Sequence, residues 1–237
     1  VQEINQKFLK RTIGNKYRRL PVYRGLDFIY QRLASPIGLL PPDIYVRTAT
    51  TTKSKFYPSQ NINELEISSD IKIVLLVLQV PVDINMIYHS PRYNDHFSIV
   101  KDLFTNLPVN TRLIVREHPL FKGRYEDELY IYIEQEGIQI DNQTELYQQM
   151  DQAAIVVVNN STVGIEAISV GKTVVCLGNS YYDSANICLK IDDTLKTTLE
   201  KALTWKPKQE AVQGFLKWLL VDSLIDGHFR DKKLKSS

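Results

Sequence analysis

Asp70-Ile71-Lys72-Ile73-Val74-Leu75-Leu76-Val77-Leu78-Gln79-Val80-Pro81-Val82-Asp83 is the stretch on which the fold turns. Its apolar run is continuous rather than alternating, short, rich in β-branched residues and closed by a proline. Such a run reads as a strand buried on both faces, which is the habit of a parallel sheet. Working outward, the same signature recurs at Arg112–Arg116, Ile138–Ile140, Ala153–Val158, Thr173–Leu177 and residues 187–191. Helical periodicity fills the intervals at about 93–106, 125–136 (closed by Gly137), 144–150 and Ser161–Val170. Two further helices are expected at about 194–204 and 208–225. Strand and helix alternating at this spacing predict an α/β, Rossmann-like parallel sheet with helices on both faces. Ligands of such sheets bind beyond the carboxyl ends of the strands, so chemistry is sought there.

Upstream the texture is different. Residues 1–33 carry helical apolar spacing (Phe8, Ile13, Tyr17, Leu20, then Leu26, Ile29, Tyr30, Leu33), interrupted by Pro21. Pro36, Gly38, Pro41 and Pro42 open an irregular stretch to Ser69. The expected organisation is a helical segment and linker over 1–69 and a Rossmann-like domain with C-terminal helices over 70–237. The start at Val1, inside a basic helical pattern, reads as a fragment or truncation.

Composition narrows the function classes. The net charge of +2 gives no call for a nucleic-acid partner. Basic residues gather at the two ends (Lys7, Lys10, Arg11, Lys16, Arg18, Arg19; Arg230, Lys232, Lys233, Lys235), either as solvated faces or as contacts with an anionic membrane surface. The two cysteines, Cys176 and Cys188, have apolar neighbours and no metal-ligand spacing, so they read as reduced core residues of a cytoplasmic protein without a zinc site. The run Ile73–Leu78 is too short to span a membrane.

Three clusters follow successive strands. After the first, Gln79–Asn85 offers Asp83, either a helix or turn cap or a carboxylate facing a ligand, with His89 and Ser90 nearby. After the second comes Arg116-Glu117-His118-Pro119, in which the proline keeps His118 out of helical geometry. That imidazole either contacts its own loop backbone or serves a phosphate. After the fourth, Asn159-Asn160-Ser161-Thr162-Val163-Gly164-Ile165-Glu166 runs directly into a helix. Asn160 or Ser161 is placed to cap it; alternatively the helix start and the hydroxyls of Ser161 and Thr162 hold an anion, with Glu166 one turn on beside a ribose. No Gly-x-Gly-x-x-Gly, Walker lysine or Asp-x-Asp is present.

In order, Leu78–Asp83, His89-Ser90-Pro91, Val115–Pro119, Asn160–Ala167 and Gly171–Gly178 resemble the bacterial capsule polysaccharide biosynthesis proteins, a family that includes β-Kdo transferases. The C-terminal stretch from Phe215 to Gly227 resembles that family's last helix, so the likeness covers roughly 71–230. The resemblance implies the C-terminal half of a GT-B glycosyltransferase that takes a CMP-activated sugar, Kdo, and passes it to a glycan or glycolipid acceptor at the inner face of the cytoplasmic membrane. It implies that His118 and Pro119, with Asn160, Ser161 and Thr162, hold the CMP phosphate, that Glu166 lies near the ribose and Asp141 and Asn142 near the cytosine, and that Asp83 is the nucleophile. Neither a cofactor nor a metal is implied. Glu117 precedes the His-Pro pair with no role attached. The family's N-terminal acidic base has no counterpart here, and Pro81-Val82 stands where acidic residues are common. A UDP- or GDP-sugar enzyme, a CDP-alcohol phosphotransferase and a non-catalytic assembly module are the competing functions.

Overall fold

The computed structural model describes residues 70–81, 83–183 and 186–224. The readings of residues 1–69 and of the basic tail from Arg230 fall outside them. The chain runs β1 (Lys72–Val77), α1 (Ile84–Tyr88), α2 (His96–Thr105), β2 (Thr111–Arg116), α3 (Asp127–Gln135), β3 (Gln139–Ile140), α4 (Leu146–Gln152) and β4 (Ala153–Val158). It continues through α5 (Val163–Ser169), β5 (Val174–Cys176), β6 (Leu189–Lys190), α6 (Leu195–Ala202) and α7 (Gln209–Lys217).

All six strands are parallel, in the order β3-β2-β1-β4-β5-β6. The continuous apolar runs are explained by two cores, one on each face. Val74, Leu76 and Leu78 of the β1 segment join Val115, Ile155 and Val157 in one layer, packed by α2, α3 and α6. Ile73, Leu75 and Val77 join Ile114, Val156 and Val158 in the other, packed by α5 and α7. Successive strand side chains point to opposite faces, so a strand covered on both sides must be apolar at every position.

Two differences from the sequence reading matter. The Asp83 segment is not simply a loop, because α1 follows it directly. The expected last helix over 208–225 ends at Lys217 and loosens into π-type turns over Trp218–Ser223. Both cysteines are free and buried, as expected. Among the described residues no helix is long and apolar enough to cross a membrane.

The chain departs from β1 toward β2 and β3, and from β4 toward β5 and β6. The crevice between the carboxyl ends of β1 and β4 is therefore the point where winding reverses, the usual ligand position in an open α/β sheet.

Candidate functional site

At that crevice lies a cavity of about 430 Å³. The segment after β1 contributes Asn85 and His89, that after β4 contributes Asn160 and Thr162, and that after β5 contributes Asn179, Ser180 and Tyr181. Three of the residues singled out from sequence, His89, Asn160 and Thr162, thus meet around one space. His118 and Ser161 do not line it.

A set of backbone pins holds the three segments together. The His89 carbonyl accepts from the Asn160 side-chain amide at 3.0 Å and from the Asn179 N–H at 2.7 Å. Asn160 Nδ2 also donates to the Asn85 carbonyl at 2.9 Å. The Gly178 N–H donates to the Asn159 carbonyl at 2.7 Å, and a Cβ at Gly178 would sit 2.6 Å from the His89 carbonyl oxygen. Asn160, expected at a phosphate, thus spends its amide N–H groups on tying α1 to the end of β4. Ser90 is buried, its hydroxyl donating to the Tyr93 carbonyl at 2.6 Å.

The start of α5 differs from the sequence expectation of free amides. The Val163 N–H donates to Ser161 Oγ at 3.3 Å and the Gly164 N–H to the Ser161 carbonyl at 3.0 Å. That carbonyl also accepts the hydroxyl of the fully buried Tyr182 at 2.6 Å. The exposed group facing the cavity here is Thr162. One turn on, Glu166 accepts from the Tyr147 hydroxyl at 3.3 Å, and burial raises its pKa above the usual carboxylate value.

On the other side of β1, the loop after β2 carries His118. Its Nδ1 accepts the Leu120 N–H at 3.3 Å, which leaves the proton of the neutral ring on Nε2. Burial lowers its pKa, opposed by the negative charge of Asp83. Asp83 is therefore close enough to be felt by the imidazole. It begins α1 without capping it, and its Oδ2 accepts from Asn85 Nδ2 at 3.3 Å. Pro119 is exposed. A buried strut supports this loop: the Tyr125 hydroxyl accepts the His118 N–H at 2.9 Å and donates to the Gln79 carbonyl at 3.0 Å.

Asp141, Asn142 and Glu117 turn their side chains to partners within the protein. Asp141 is 0% exposed and cannot meet a base. Its Oδ1 accepts the Gln143 and Thr144 N–H groups at 2.9 and 3.0 Å. Burial alone would raise its pKa, yet those hydrogen bonds outweigh it and hold the carboxyl below its usual range. Asn142 spends both ends of its side chain on Glu117, donating to Oε2 at 2.6 Å and accepting the Glu117 N–H at 3.0 Å. Glu117, 4% exposed, also accepts from the Tyr130 hydroxyl and from the Gly123 N–H. These three brace the His118 loop from within. Sequence reasoning placed Asn85 in the first cluster without a role and missed Asn179, Ser180 and Tyr181, although the strand-end rule that found the other clusters applies equally after β5.

Residues 40–230 match the family of capsule polysaccharide biosynthesis proteins. The chain belongs to that family. Protein FixF of Sinorhizobium fredii is 29% identical over 161 residues, which are 67% of this chain and 39% of that protein. The chain thus spans about two fifths of the length of this curated relative. Two solved structures from Thermosulfurimonas dismutans are similar to this capsule-family chain. The β-Kdo 2,7 transferase of KpsC is 24% identical, with 57% of this chain and 44% of that one covered and a TM-score of 0.45. The β-Kdo 2,4 transferase is 14% identical, with 88% and 67% covered and a TM-score of 0.40.

Proposed function

We propose that this chain carries the donor-binding, C-terminal half of a GT-B glycosyltransferase of capsule or surface polysaccharide assembly, taking a CMP-activated sugar, Kdo. The observation that carries the reading is the cavity at the winding reversal, ringed by strand-end segments, with Asp83 held by the lining Asn85 and acting by charge on His118. The His118 Nε2–H donates to the nucleotide phosphate, and Thr162, reached from the end of β4, gives that phosphate a second donor, a hydroxyl. Glu166 stands at the ribose. Asp83 meets the anomeric carbon as phosphate departs, and its charge stabilises or captures the oxocarbenium-like centre. The acceptor is a glycan or glycolipid, reached at the cytoplasmic face of the membrane, where the basic residues near both ends of the chain meet anionic lipid.

Calorimetry of the full chain with CMP, UMP and GMP tests this. CMP binds tightest, and His118→Ala weakens it by about tenfold, the usual effect of losing one hydrogen bond to a charged group. Asp83→Asn leaves CMP binding intact. No preference for CMP, together with no effect of His118→Ala, rejects the proposal.

A further inference from the structure

The cavity wall has a composition of its own. Its side chains bring three amides (Asn85, Asn160, Asn179), two hydroxyls and an imidazole, but no lysine, arginine or carboxylate. One aromatic ring, Tyr181, completes it and remains 50% exposed. That ring is held firmly. Its face lies 20° from parallel to Phe215 at 6.5 Å, and it meets Tyr182 edge-on at 5.2 Å. Phe215 leans in turn on Trp218 at 5.5 Å. The segment before it is fixed as well, with the Ser180 N–H donating to Asp183 Oδ2 at 2.9 Å and Lys190 reaching Asn179 Oδ1 at 3.0 Å and Asp183 at 2.9 Å.

A half-exposed aromatic ring backed by other rings, in a neutral wall of amides and hydroxyls, matches a polyhydroxylated ring. Sugar hydroxyls both donate and accept, as amides and hydroxyls do, and the C–H face of a sugar packs on an aromatic face. We infer that this cavity receives the sugar being transferred, with Tyr181 as its stacking platform and Asn179 and Ser180 reading its hydroxyls. The inference rests on the glycosyltransferase reading and deepens it. Asn85, which lines the cavity and donates to Asp83, places the carboxylate at its edge, where an anomeric carbon would lie. Kdo bears its carboxylate on that carbon, so the charge stays at the rim while the hydroxylated remainder enters the neutral space.

The test is saturation-transfer NMR on the full chain held with saturating CMP, using free Kdo, galactose and N-acetylglucosamine, alongside the CMP dissociation constant. Saturation should reach the ring protons of at least one sugar. Tyr181→Ala should cut that transfer by about fivefold, Tyr181→Phe should retain it, and CMP affinity should stay within about twofold in both variants. Equal transfer in wild type and Tyr181→Ala, or no sugar bound while CMP still binds, overturns the sugar subsite and leaves the donor reading standing. Loss of CMP affinity in Tyr181→Ala as large as the sugar effect makes the ring a base platform and overturns it too. Absence of CMP binding in the wild-type chain overturns both.

Discussion

His118 and Asp83 sit at the ends of neighbouring strands and sense one another through charge. Burial makes the imidazole a weaker base than an exposed one, while Asp83 partly restores it. Removing that charge in Asp83→Asn should therefore lower the His118 pKa further, as followed by the C2 proton or ring nitrogens in NMR; an upward movement would contradict the arrangement. The consequence for stability has a defined sign. With its folded pKa below the ordinary value of about 6.5, His118 leaves stability untouched above that pH. Stability is lost as pH falls from there toward the folded pKa, because the unfolded chain takes the proton first. Glu166 behaves oppositely. Its folded pKa is raised by burial, so the unfolded chain sheds the proton first, and the native charged form carries a desolvation cost at neutral pH. Glu166→Gln should raise the melting temperature at pH 7 and lose that advantage near pH 4, about the ordinary carboxylate pKa, where the native carboxyl is already protonated. The same variant should weaken CMP binding if the carboxylate holds the ribose. Among the residues themselves, the sequence pointed to the His118 loop and the start of α5 because residue type and strand-end position coincide there. The inward turn of Asp141, Asn142 and Glu117 was not legible, because a polar side chain following a strand looks identical in sequence whether it turns toward a ligand or back into the protein. Only their partners, the Thr144 and Gln143 amides and the Tyr130 hydroxyl, distinguish the two cases.

At the scale of elements, the site depends on how α1 and α5 are held rather than on their own helix propensity. Each is a helix of two turns or fewer, and helices that short do not persist without tertiary support. For α1 the support is the Asn160 side chain on the Asn85 and His89 carbonyls. Asn160→Ala should cost about 1–2 kcal/mol and speed hydrogen exchange across residues 84–90, with little change in the strands; unchanged exchange there would mean the pin is redundant. For α5 the support is Tyr182, whose hydroxyl reaches over Gly164 to the Ser161 carbonyl. A Cβ at Gly164 would fall on that hydroxyl, and Tyr182 is fully buried with nowhere to retreat. Gly164→Ala should therefore destabilise by about 1–3 kcal/mol in urea titration, although alanine is the better helix former. Pairing it with Tyr182→Phe should recover only part of the loss, since the Cβ would meet the ring carbon Cζ at 2.7 Å as well as the hydroxyl. The strands and the longer helices were legible from periodicity because their burial is regular. Helix α1 was not: its exposed Ile84, Ile87 and Tyr88 give five residues no apolar stripe that faces the core. The break after Lys217 was equally hidden, because the pattern of apolar residues continues through Trp218–Ser223 while the backbone widens into π-type turns.

On the scale of the whole molecule, the sheet is a partition between two cores, and the strand ends are steady because both cores press on it. Ile114 belongs to one layer and Ile155 to the other, both are 0% exposed, and their strands are separated by β1. Trimming one methyl from each isolates the layers without emptying either. Ile114→Val and Ile155→Val should each cost about 1 kcal/mol. The double variant should cost their sum to within about 0.5 kcal/mol, as for sites with no shared partners. Unfolding in urea should remain one transition, with fluorescence and far-ultraviolet circular dichroism superimposing, because neither layer can lose its face of the sheet while the other keeps it. Separate transitions would show that the two faces melt independently. The segments that ring the cavity would then owe their positions to one face alone. Under a single transition, the loops after β1, β4 and β5 inherit the stability of the entire sheet. A cavity assembled from three separate chain segments can then keep its shape, although α1 and α5 are too short to hold theirs alone.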